Sequence, residues 1–430
     1  MINNIPKDWE VKMLGEVCES ISAGGDKPNN ITAIKTQENK IPIYANGISN
    51  DGLLGYTDTA TIKKPAVTIS ARGTIGFVCV RYEPYFPVVR LISAIPNENI
   101  LNLEFLRYTL EFFIPKGEGS SIPQLTIPTF KQIKIPLPPL EVQKAIVKKL
   151  ENAFAHIDEA VRHLRAVQTN IPRLKSSLLH CAFSGKLTES QNQSNEVQTL
   201  KSVVGVEGEF EREEGATSPF KPLHPLIREG IPQGWEVKTL GEIGKVVSGG
   251  TPSTSNKDNF DGEIAWITPA DLSGYKEKYI SKGKRNLSEQ GLKNSSARLL
   301  PPNSILFSSR APIGYVAIAS NSLCTNQGFK NLIPNNNVSS EYIYYFLLHS
   351  KRLAESVASG TTFKEISATN FSKLPIPLPP LATQNQIVQI LESKFAHLEK
   401  LAQFVNESLE NLQKLKSLLL NQAFKGELIC

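Results

Sequence analysis

Cysteine is scarce and scattered: Cys18, Cys79, Cys181, Cys324 and Cys430 never form a C-x-x-C pair. That spacing excludes a clustered-thiol metal site and the density of a secreted disulfide scaffold, and predicts small buried apolar side chains. Long apolar runs are missing too; none nears the roughly 18 residues that span a bilayer. Met1 to Trp9 lacks a basic-then-apolar leader, so the expectation is a cytoplasmic protein with no membrane partner. Catalytic signatures are absent in turn. There is no G-x-x-x-x-G-K-[ST] loop to cradle phosphates, and no N-P-P-aromatic or D-P-P-aromatic tetrapeptide of amino-methylating enzymes. Glu10–Val11–Lys12 and Glu236–Val237–Lys238 resemble part of a nuclease E-x-K, but the first copy has no acidic partner far enough upstream. A strand of alternating charge explains both. The chain reads as non-catalytic, with no metal or cofactor of its own.

Charge of one sign is not dominant either. The 430 residues carry a net +6, spread as −1 over 1–129, +6 over 130–187, −4 over 188–230, +4 over 231–370 and +1 over 371–430. A strongly basic chain would point to nucleic acid by itself; this one does not. Its densest basic stretch, Lys276, Lys278, Lys282, Lys284, Arg285 and Lys293, suits either a phosphate backbone or a solvated loop.

What is present is a repeat. IPKDWEVKMLGE (5–16) returns as IPQGWEVKTLGE (231–242), and residues 130–187 return as 371–428 with 25 identities, IPLPPL included. Between these anchors the copies diverge, and the second carries extra residues around its lysine cluster. Constant ends with a variable middle suggest shared architecture presenting different surfaces. In each middle, short β-branched runs separated by turns read as strands: PAVTISARGTIGFVCV (65–80) as strand–turn–strand and PVVRLISAI (87–95) as one further strand. Amphipathic helices are expected near 101–113 and 338–350.

After each IPLPPL no glycine occurs until Gly185 and Gly426, and apolar residues recur in steps that sum to seven. Leu140, Val147, Leu150, Phe154, Ile157, Val161, Leu164 and Ile171 form one seam. Leu381, Val388, Leu391, Phe395, Leu398, Ala402, Val405, Leu409 and Leu412 form the other. Pro172 is expected to kink or divide the first helix. His156 and His397, matched across the repeat, are expected as packing residues. The fold class is therefore α+β: two similar globular α/β domains joined by two long antiparallel helices as a coiled coil, with a pseudo-twofold internal repeat. The boundaries are 1–139 for the first domain, 140–187 for its helix, 188–230 for a flexible acidic linker, 231–380 for the second domain and 381–430 for its helix. Two similar heads on a spacer suit two sites on one linear object, and duplex DNA is the natural one. A two-headed adaptor for a non-DNA partner is the competing reading.

The order of these parts resembles the specificity subunit of type I restriction–modification enzymes. The resemblance rests on W-E-V-K-x-L-G-E (Trp9–Glu16, Trp235–Glu242), SGGTPS (248–253), S-x-R-x-x-I-G (Ser70–Gly76, Ser308–Gly314) and the two IPLPPL-to-helix junctions. It implies that each domain reads one half of a bipartite double-stranded DNA target while the helices set the gap. It also implies partners: two modification subunits that use S-adenosylmethionine, and restriction or translocase subunits that use ATP and Mg. The first domain has DKPNN and IPIYANG where the second has TPSTSNKDNF and IAWITPADL, which implies different half-sites.

The candidate DNA contacts follow from residue type. Arg72 and Arg310 offer a bidentate fork to phosphate or guanine, or else pair with an internal carboxylate. Gly24, Gly25, Gly249, Gly250, Thr251 and Ser253, with Gly119, Ser120, Ser121, Gly360, Thr361 and Thr362, offer donors for phosphates or form plain turns. Asn46, Asn326 and Gln327 are amides of the type that reads adenine, or that satisfies nearby backbone. Lys27, Lys282, Lys284 and Arg285 supply charge.

Overall fold

A computed structural model describes residues 5–114, 117–118, 124–189, 231–360 and 364–428. The connector from 190 to 230, Gly119–Ser121 and Thr361–Thr362 lie outside the described residues. The chain divides into two compact units, residues 1–166 with 404–430, and residues 167–403. Each unit thus holds the start of one long helix and the end of the other.

In the first unit the opening motif becomes a strand, Glu10–Met13, and a single helical turn, Leu14–Val17. Leu14 is fully buried and Glu16 turns back to accept the Met13 amide at 2.6 Å. The strand pairs antiparallel with Lys134–Leu137, which sets IPLPPL beside the domain opening. Lys12 pairs with Glu10 at 3.1 Å, as alternating strand charge requires.

The variable middle folds into two larger sheets and a two-stranded one that pairs Thr74–Ile75 with Gly117–Glu118. Of the larger sheets, one has four strands, in the order Cys18–Ala23, Ile92–Pro96, Ala66–Ile69, Val78–Arg81. The other pairs Ile41–Tyr44 antiparallel with Leu53–Thr57 and parallel with Phe86–Pro87. PVVRLISAI is therefore not one strand. The chain turns at Val89 and Arg90, both left-handed, and its two halves serve different sheets. The helix Leu103–Phe113 starts where Asn102 accepts the Phe105 amide at 3.0 Å, and it buries Phe105, Leu106, Tyr108 and Leu110.

The second unit repeats this plan. Gly244–Ser248, Phe329–Pro334, Ile305–Ser308 and Val316–Ala319 keep the strand order, and Tyr279–Ile280, from the extra residues of this copy, adds a fifth strand. Phe260–Ile267 lies between Arg285–Leu287 and Cys324–Thr325 in the smaller sheet. The helix Ser340–His349 is capped by Ser339.

The long helices run Leu140–Phe183 and Leu381–Phe424, 44 residues each, ending before 187 and 430. Pro172 does not divide the first. Proline's fixed φ is already helical and its cost is one lost hydrogen bond plus local crowding, while Ile171 and Leu179 on either side are buried. Within the first unit Lys416 pairs with Asp158, and Lys149 donates to the Leu428 carbonyl at 2.8 Å; within the second Lys175 pairs with Glu399 at 3.2 Å. In the first unit falling numbers meet rising ones, so the helix pairing there is antiparallel. Leu150, Ile157, Leu391 and Val405 are buried, Leu150 and Leu391 as part of the domain cores, and Phe154, Leu164, Phe395 and Leu398 are half-buried. Leu381 is exposed in the first turn, outside the seam. His156 and His397 are exposed as well; neither packs. Among the described cysteines, Cys18, Cys79 and Cys181 are half-buried and Cys324 is buried, all four as free thiols.

Each helix ends inside a core. Phe424 meets Phe105, Phe112 and Phe113 with ring centroids 5.1–5.6 Å apart in the first unit. Its repeat counterpart Phe183 meets Tyr342 and Phe346 at 5.3 and 5.4 Å in the second. The glycines that follow are left-handed, at φ +78 for Gly426 and +81 for Gly185, and pressed on proline. A Cβ there would stand 2.3 Å from Pro6 and 2.0 Å from Pro232.

Candidate nucleic-acid interface

Backbone pairing gathers four loops at one place in the first unit. Arg90 donates its amide to the Gly24 carbonyl at 2.8 Å and Val89 to the Gly25 carbonyl at 2.9 Å. Asn46 spans two further loops: its side-chain oxygen accepts the Ala71 amide at 2.9 Å while its nitrogen donates to the Val89 carbonyl. The Ala71 carbonyl in turn accepts the Leu125 amide at 3.1 Å. Asn46 thus ties Ala71, the neighbour of Arg72, to the 89–90 turn through one donor and one acceptor of its amide. Gly24 is buried, donates to the Leu91 carbonyl at 2.9 Å, and admits no Cβ, which would lie 2.5 Å from Pro87. Its role is close approach of backbones rather than phosphate binding. Arg72, Arg90 and Lys27 are exposed, and none of the three has an ion pair among the described residues.

The second unit builds the same junction with different side chains. Gly249 donates to the Phe329 carbonyl at 3.2 Å and Gly250 to the Thr325 carbonyl at 2.9 Å, while the Trp266 indole holds the Gly250 carbonyl at 3.1 Å. These N–H groups are likewise spent. Asn326 accepts the Gly328 amide at 2.9 Å and serves its own turn; Thr251 accepts the Gln327 amide at 3.4 Å; the Gln327 side chain is exposed. Arg310 pairs with Glu365 at 3.5 Å, the internal carboxylate that sequence left open. Glu365 also holds Lys330 at 3.1 Å, and Lys330 is 7% exposed. Glu365 bridges antiparallel to both Arg310 and Ser359, which brings exposed Gly360 to the same junction.

The basic cluster separates into parts. Lys278 pairs with Glu392 on the long helix and is not available to a ligand. Lys282 and Lys284 are exposed, and Arg285 lies 3.5 Å over the Phe260 ring, a rigid platform for a cation. Ser253 is exposed and bonded to Ser255 at 2.8 Å. Among the described residues no group of three or more His, Cys, Asp or Glu could hold a metal ion. No described helix is long and apolar enough to cross a membrane.

The family model described as "Type I restriction modification DNA specificity domain" matches residues 6–165 and again 232–411, one match per copy of the repeat. The chain belongs to this family. Among relatives, the type I restriction enzyme MjaIX specificity subunit of Methanocaldococcus jannaschii is 45% identical over 42% of this chain and 42% of that protein. The HindI specificity subunit of Haemophilus influenzae is 24% identical across 98% of this chain and 100% of its own. The HsdS subunit from Thermoanaerobacter tengcongensis superposes with a TM-score of 0.59 at 19% identity over 98% of both chains. A chain solved for complex assembly of the type I R-M system reaches 0.68 at 20% identity, covering 98% and 99%. These two share the fold.

Within this family fold, sequence reasoning missed three groups. Arg90 lay hidden in an apparent strand. Glu365 was readable only by setting it against its repeat counterpart Gln124, since Arg72 and Arg310 otherwise look alike. Gln143 and Gln384 were unremarkable helix amides, yet both are almost wholly buried and hold the domain helices (Discussion).

Proposed function

We propose that the chain is the DNA-reading subunit of a type I restriction–modification complex and performs no chemistry itself. Each unit reads one half of a bipartite site through its loop junction, and the long helices set the gap and dock two methylating subunits. Those partners supply S-adenosylmethionine chemistry, and restriction or translocase subunits add ATP- and Mg-dependent steps. The observation that carries this reading is the double occurrence of one scaffold whose junction differs in side chains: free arginines in the first, an arginine held by Glu365 and an exposed amide in the second. Identical scaffolds with different presented groups suit two different half-sites on one duplex.

Lys282, Lys284 and Arg285 track phosphates in this scheme, with Lys27 and Arg72 doing so on the other unit. Ser253, Gln327, Gly360 and Gly25 line the reading loops, and Thr361, Thr362 and Gly119–Ser121 remain candidates by residue type alone. Methylome sequencing with and without the gene tests the proposal: a split adenine-methylated motif should vanish with the gene. In gel shifts with the modification subunits present, binding should need both half-sites. Insensitivity to changing the gap by one or two base pairs would refute the spacer role.

A further inference from the structure

Val89 and Arg90 form the least ordinary backbone in the first unit. Both are left-handed, at φ +52 and +60, and a β-branched residue there is a genuine outlier. Such conformations persist only where surroundings over-determine them. Here the surroundings do: Val89 and Arg90 bond to Gly25 and Gly24, Leu91 bonds back to the Val88 carbonyl at 3.1 Å, and Asn46 grips the Val89 carbonyl. Gly24 and Asn46 are thereby explained, since a Cβ at position 24 would collide with the strand entering this turn.

The result of that restraint faces outward. Val89 is 43% exposed and Ile48, two residues from Asn46, is 52% exposed, an unusual display of apolar surface at a rigid turn. The Arg90 guanidinium is exposed with no carboxylate partner among the described residues. The second copy has Gln327 and Gly328 at these positions, neither left-handed. The device belongs to the first unit alone.

We propose that the Val89–Arg90 turn is a base-reading element of the first unit, with the Arg90 fork on a guanine edge and the Val89 methyls against a neighbouring thymine methyl. Arginine on guanine O6 and N7 is the commonest specific base contact, and it needs a fixed backbone because a bidentate bond fails when its base wanders. A phosphate contact needs only charge and does not call for a restrained turn. The proposal rests on the DNA-reading function above.

The test uses the full complex with modification subunits and the bipartite site identified by methylome sequencing. Arg90→Lys and Arg90→Ala should both lose discrimination at one guanine of one half-site, by about 5- to 150-fold in competition binding. The other half-site, read in the same methylome, should keep its sequence, which shows that the complex is folded and assembled. If Arg90→Lys retains wild-type discrimination, Arg90 contacts phosphate and the inference is overturned. Unchanged discrimination in both variants overturns it equally. If the wild-type complex binds no bipartite site, the functional reading itself has failed.

Discussion

Gln143, in the first turn of the long helix, accepts the Asn102 amide at 2.8 Å and donates to the Ile100 and Pro138 carbonyls at 2.8 Å each. One buried amide thus ties IPLPPL, the long helix and the start of the domain helix together. Gln384 repeats it, accepting the Ser339 amide at 2.9 Å and donating to Pro379 at 2.8 Å. Gln143→Leu strands an amide and two carbonyls in a dry site, and should cost about 2–3 kcal/mol in denaturant unfolding. Gln143→Glu, which puts a charge in the same space, should cost more.

The two helix-end phenylalanines are core residues of the units they enter. Phe424→Ala should destabilise by about 3–5 kcal/mol. Hydrogen exchange should quicken in 103–113 for Phe424→Ala and in 340–349 for Phe183→Ala. Equal effects of both variants on both helices would contradict the assignment.

Lys330, Glu365 and Arg310 form a small charge cluster whose counterparts in the first unit are Ile92, Gln124 and Arg72. Glu365→Gln should cost about 1–2 kcal/mol, a buried-pair loss discounted because Glu365 is partly exposed. Lys330→Ile together with Glu365→Gln copies the first unit and should recover most of that stability in a thermal melt.

Arg72 is exposed and free of that carboxylate, while Arg310 is held by it. Arg72→Ala should lower the slope of log affinity against log salt by about one, the signature of one lost phosphate contact. Arg310→Ala should leave the slope nearly unchanged and lower thermal stability instead.

Burial pushes the Tyr85 phenol up from 10.0 to about 12 against a weaker opposing pull from the nearby Ser93 hydroxyl, and among the described residues no hydrogen bond of ordinary geometry satisfies the Tyr85 hydroxyl. A raised folded-state value means stability that is full below pH 10 and lost as pH rises towards 12. Tyr85→Phe should be neutral or stabilising at pH 7, since it removes an unpaired buried polar atom. It should also reduce the loss of stability between pH 10 and 12, followed by chemical denaturation across that range.

Much of the fold was legible because its signals are local or periodic. Seven-residue steps gave the helix seam, β-branched runs gave most strands, and amphipathic spacing marked the helices near 101–113 and 338–350. Pro172 misled because a proline cost is set by what flanking packing offsets. PVVRLISAI misled because apolar periodicity cannot register a change of φ at Val89. The loops are legible from residue type, but what holds them is not: Asn46 bonds the Val89 carbonyl 43 residues on, and Gly24, Gly249 and Gly250 bond backbone that arrives from 67 to 80 residues away.

The repeat, the constant ends and the heptad helices were determined by sequence alone, since each is a pattern of residue types along the chain. Which arginine is free was decided only by tertiary structure. Arg72 and Arg310 share one motif, and their difference lies in a carboxylate 55 residues downstream of Arg310 that folding alone brings to 3.5 Å.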